Sequence, residues 1–161
     1  MQRFTMTTIW LLIFAFVLAT MPGPLRADSA SFHYANASAS GLDLVVTFKE
    51  TGLGNSASTV GMVVNADAMA TYQCFNNGGN HPKAGNKETV NGPVTGSGNF
   101  LVRHGQTTGF ITVSLPGPGN FSCPSGQTLF LISGEFDNIT ITDLTTSDGP
   151  VSTTPSSITV P

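Results

Sequence analysis

Leu42-Asp43-Leu44-Val45-Val46-Thr47-Phe48-Lys49 alternates apolar and polar side chains: Leu42, Leu44, Val46 and Phe48 fall on one face of an extended chain, and Asp43, Thr47 and Lys49 on the other. A period of two marks a half-buried β-strand. The same alternation recurs over residues 110–115 and 139–142, and shorter apolar runs at 60–64, 68–75 and 129–132 read as further strands. After residue 20 no window carries a helical period.

Turn chemistry separates these runs. Gly, Pro and Asn concentrate at residues 51–55, 76–93, 116–120 and 124–126, where they supply positive φ, fixed φ and side-chain caps of turns. Repeated short strands joined in this way predict an all-β fold, a single antiparallel β-sandwich, immunoglobulin-like in architecture, whose two inner faces use the alternation directly. The boundaries expected are 1–27 for a signal peptide, 28–145 for the sandwich and 146–161 for a Ser/Thr/Pro-rich stretch. That last stretch is either a loose tail or, through residues 157–160, an edge strand.

The N-terminus has the three parts of a secretory signal: Arg3, an apolar run over residues 9–19, and helix breakers at Pro22, Gly23 and Pro24. The run is far short of the ~20 residues that a membrane-spanning helix needs. The expectation is therefore a secreted, extracellular chain with no membrane span after cleavage, cut near Ala27 or Ala30. The formal charge of the full chain is −3, and it becomes more negative once Arg3 and Arg26 are removed. Nucleic acid is excluded as a partner, because Lys and Arg supply most non-specific affinity for phosphates.

Cys74 and Cys123 are the two cysteines of the chain. In an oxidising compartment an even count pairs, so a Cys74–Cys123 disulfide is expected. Tyr72 shares a strand face with Cys74, similar to the tyrosine corner of immunoglobulin domains. Here, however, the tyrosine precedes the first cysteine, and the sole tryptophan, Trp10, lies in the signal segment. A true immunoglobulin domain is not expected.

No catalytic constellation emerges. His33, His81 and His104 lack the H-x-H or H-x₃-H spacing of a metal site, so neither a metal nor a cofactor is expected. Glu135, Asp137 and Asp143 form the densest acidic cluster. A glycosidase needs two carboxyls facing each other across a cleft, but solvated strand ends account for these three more simply. No Gly-x-Ser-x-Gly elbow and no phosphate-binding loop is present. Asn36, Asn120 and Asn138 fit the glycosylation acceptor pattern, as chance alone would produce in so Asn-, Ser- and Thr-rich a chain.

The loop 76–87 concentrates amides and cations in an otherwise acidic chain: Asn76, Asn77, Asn80, His81, Lys83, Asn86 and Lys87. Amides hydrogen-bond sugar hydroxyls, and ammonium groups bind carboxylates or sulfates; alternatively, the Asn and Gly residues simply build turns. The functional expectation is a non-enzymatic, secreted or cell-surface binding module using inter-strand loops, with an extracellular glycan or surface protein as ligand. The alternatives are an assembly protein pairing through strand edges, or less readily a secreted hydrolase.

The run 72–87, with its Cys-x-Asn-Asn-Gly-Gly-Asn loop, together with Pro116-Gly117-Pro118-Gly119-Asn120-Phe121-Ser122-Cys123-Pro124, resembles a family of small exported bacterial proteins. The resemblance covers residues 40–145 and implies a β fold with one disulfide. It brings no activity and no site residues.

Overall fold

The computed structural model describes residues 30–54, 57–76 and 86–161. The expected signal segment 1–27 and four of the seven loop residues, Asn77, Asn80, His81 and Lys83, lie outside the described residues. Eight strands follow in order: β1 (Ser31–Ser40), β2 (Asp43–Thr51), β3 (Thr59–Asn76), β4 (Lys87–Leu101), β5 (Gln106–Val113), β6 (Gln127–Asp143), β7 (Val151–Ser152) and β8 (Ile158–Val160). They build two antiparallel sheets packed face to face, a three-stranded one in the order β1-β2-β5 and a five-stranded one in the order β4-β3-β6-β7, with β8 also paired to β6. Among the described residues no helix is long and apolar enough to cross a membrane.

The alternation that opens the sequence is the inner face of β2, where Leu44, Val46 and Phe48 are wholly buried. They pack with Ile111 and Val113 of β5 against Val60, Met62 and Val64 of β3 and Phe136, Ile139 and Ile141 of β6. Burying a side chain of this size contributes about 1.5–3 kcal/mol, so this two-sided layer is the main source of stability. One lateral edge of the sandwich is laced shut: Ala37 N–H donates to the Thr154 carbonyl (3.2 Å) and Thr154 N–H to that of Ala35 (2.9 Å). Nearby, β8 closes the core with the buried Val160.

The strands of the larger sheet overrun the smaller one. β3 and β6 have 18 and 17 residues, against 8 in β5. The inner face of this extension carries Ala70, Tyr72 and Cys74, all buried. The segment after β5 crosses it: the Tyr72 hydroxyl donates to the Pro116 carbonyl (2.7 Å), and Cys123 is bridged to Cys74. Leu115 lies directly on Gly134, where any Cβ would collide with its methyl groups. Tyr72 thus belongs to a tether beside the disulfide, and not to a corner of the immunoglobulin type.

The turn-rich span 76–93 ends earlier than expected, since β4 begins at Lys87 and carries Gly92 and Pro93 within it. Proline is tolerated there because β4 is an edge strand, with one hydrogen-bonded neighbour. At Gly96, one of its inward positions, there is a steric reason for glycine. A Cβ on Gly96 would come within 2.8 Å of the Thr112 carbonyl oxygen and 2.9 Å of the Ile111 and Val113 methyl groups.

Candidate functional site

β4 and β5 are consecutive in the chain but belong to different sheets. The turn between them carries the chain across the open edge of the sandwich. Arg103 and Gln106 exchange backbone hydrogen bonds (2.8 and 3.1 Å), while His104 and Gly105 both have positive φ, 52° and 72°. This is the two-residue hairpin geometry that needs a left-handed backbone at both central positions. Gly105 meets it freely, and His104 is among the few side chains enriched there. The turn is held against the β2–β3 connection by Leu53 N–H donating to the Gly105 carbonyl (3.0 Å).

Beside the turn lies a groove of about 710 Å³. Its floor is aromatic and rigid. Phe100 reaches from β4 over Gly109 of β5, where a Cβ would collide with its ring, and meets Phe48 edge-on at 4.9 Å. Its walls carry Lys49 from β2, Arg103 and His104 from the turn, and the polar groups of Asn99, Gln106 and Thr108. Lys49 and Arg103 have no acidic partner among the described residues. Two of the four Lys and Arg residues beyond position 30 therefore face one hollow, unpaired, in a chain of net charge −3. A second hollow, of about 400 Å³ beside Met69 and Pro93, is acidic instead, with Asp67 and Asp137 in its wall. Asp67 there already accepts a hydrogen bond from the Asn138 amide (2.8 Å).

Behind the groove, on the inner face of β2, Glu50 is wholly buried, opposite Thr107 of β5. No donor reaches either of its oxygens among the described residues. Burial, the charge of Asp143, a hydrogen bond shared with that carboxylate and the charge of Asp148 raise its pKa from 4.5 to about 8. Glu50 is therefore a neutral acid near pH 7. Asp143 is fixed by its own loop: it accepts from Thr145 N–H (2.6 Å) and from the Thr146 hydroxyl (2.8 Å). Two carboxyl groups set together resemble acid–base machinery, but both side chains are fully buried, out of reach of a substrate. The pair is part of the core.

The residues singled out from sequence are dispersed. Glu135 and Asp137 lie on the outer face of β6, across from Met69 and Asp67, whereas Asp143 points into the core. Of the loop residues described, Asn76 ends β3 and Lys87 begins β4, while the Asn86 amide donates to the Gln127 side chain (2.9 Å). His33 is exposed at a bulge in β1 and does not line the groove that His104 lines. Among the described residues no three His, Cys, Asp or Glu side chains gather as a metal site. The groove was not singled out from sequence because Lys49 lies some fifty positions from the stretch 99–108 that supplies its other residues. The one local signal was His104-Gly105, a turn dipeptide carrying a titratable ring next to Arg103.

Compared with known proteins, the chain matches no family model, no curated protein and no solved structure.

Proposed function

We propose that this protein is an exported, non-enzymatic binding module that holds an anionic extracellular ligand in the groove between β4 and β5. The observation that carries this reading is the gathering of Lys49, Arg103 and His104 around an aromatic floor, with no carboxylate beside the two cations among the described residues. The signal-like N-terminus and the disulfide favour an oxidising, extracytoplasmic setting. Arg103 offers a planar fork that matches carboxylate or sulfate oxygens, Lys49 a point charge, and the amides and hydroxyls nearby suit sugar hydroxyls.

The experiment is calorimetric titration of the mature protein with uronic-acid, sulfated and neutral oligosaccharides. Binding is expected for the charged ones only. Replacing Lys49 and Arg103 together by alanine should weaken it at least about tenfold, which is 1.4 kcal/mol, since a single hydrogen bond to a charged group contributes about 1.5–3 kcal/mol. Raising salt should weaken it too, because exposed charges are screened over about 8–10 Å. Unchanged affinity in the double variant would end this reading.

A second reading, assembly through strand edges, is favoured by β4, whose fifteen residues have a strand neighbour on one side alone. Such an edge is a template for pairing with another chain. Sedimentation that stays monomeric at high concentration would dismiss it.

A further inference from the structure

The outer face of the three-stranded sheet continues the groove. In cross-strand register Tyr34, Lys49 and Thr108 form one row, and Asn36, Thr47 and Phe110 the next. Partners in register project to the same side of a sheet, and the residues between the two rows, Ala35, Phe48 and Gly109, face inward, the first two buried. Lys49 therefore stands both in the groove and at the centre of this face. Phe110 is 65% exposed and Tyr34 39%, on a face that also carries Lys49, Val45 and the polar side chains of Asn36, Ser38, Thr47, Thr108 and Thr112.

We propose that this face is a stacking platform for an anionic polysaccharide, whose chain runs from the cationic groove past Lys49 so that its sugar rings lie on Phe110 and Tyr34. The inference rests on the groove reading above and extends it to a ligand class. The C–H face of a pyranose ring is apolar and weakly positive, so it suits the negative face of an aromatic ring. Sugar hydroxyls at the ring edge suit the neighbouring Asn36, Thr47 and Thr108.

The spacing fits a chain better than a single sugar. Strands about 4.8 Å apart and a rise of about 3.4 Å per residue put Phe110 and Tyr34 roughly 12 Å apart on the diagonal, more than one ring width. A protein partner fits less well. Two rings set apart on the diagonal, with Lys49 and hydroxyls between them, do not make the contiguous apolar core that protein interfaces bury, whereas the cations of the groove supply charge complementarity to a polyanion.

The test uses the mature protein with a uronic-acid oligosaccharide of several units and, separately, the uronic-acid monosaccharide. The oligosaccharide is expected to bind at least about tenfold more tightly. Phe110→Ala combined with Tyr34→Ala should remove most of that advantage, since ring contacts outweigh simple area burial. The same double variant should leave the melting temperature and the weak monosaccharide binding unchanged, because both rings are exposed. Loss of binding in the Lys49/Arg103 variant but not in the aromatic one would refute the platform and leave the groove standing. Failure of every charged sugar to bind would overturn both.

Discussion

Between pH 5 and pH 9 the folded state is expected to lose about 3 kcal/mol of stability, and Glu50→Gln is expected to abolish most of that loss. Below pH 4.5 Glu50 is protonated in both the folded and the unfolded chain. Between 4.5 and about 8 the buried group keeps its proton while the unfolded chain releases it. The folded state then binds more protons, so its stability falls as pH rises, and it levels off above pH 8. One unit of pKa corresponds to 1.36 kcal/mol, which sets an upper limit near 5 kcal/mol; relaxation and water entry around a buried charge reduce it. Glutamine keeps a donor toward Asp143 without a titrating proton, so the variant should be the more stable protein at pH 9. Urea unfolding midpoints across this pH range measure it. A wild-type curve that rises from pH 5 to pH 9 would show that Glu50 is not a buried neutral acid.

Replacing Cys74 and Cys123 by alanine should cost about 4 kcal/mol, the chain-entropy value for a loop closed over 49 positions. For a domain of this size the melting temperature should drop by roughly 15 °C. The effect is local before it is global, because the bridge ties down the segment that covers the extended end of the larger sheet. Without it, Leu115 on Gly134 and the Tyr72 hydrogen bond to Pro116 are the remaining tethers. Ala70, Tyr72 and the face around them should therefore gain amide exchange ahead of Val46 and Ile141. Calorimetry with hydrogen exchange checks both parts, and a fall of less than about 1 kcal/mol would show that the unbridged segment stays docked unaided.

Both results concern features that the sequence shows unevenly. The bridge was legible from two cysteines behind a signal-like segment, and β2 was legible from its alternation. That alternation actually runs one step further, to Glu50, where the inward position holds a carboxyl. A pattern built on hydrophobicity stops there, since nothing local shows that Asp143, distant in sequence, stands opposite. β1 was missed because its inward residues, Ala35 and Ala37, are too small to mark a face. β4 was missed because its inward positions include Gly92, Gly96 and Gly98, which register as turn signals until the packing of β5 explains at least Gly96. The groove needed three-dimensional pairing altogether: Lys49 meets Thr108 through the β2–β5 register, and Arg103 arrives with the turn.

Binding of an anionic ligand at the β4–β5 edge is read out by the backbone amide shifts of isotope-labelled protein comprising residues 28–161, titrated with a uronic-acid oligosaccharide. The expected result is a saturable set of shifts at Lys49, Leu101, Arg103, His104 and Thr108, spreading to Phe110. Shifts confined to the loop end at Asn86 and Lys87, or to the hollow around Asp67 and Pro93, or no shifts at any ligand concentration, would contradict it.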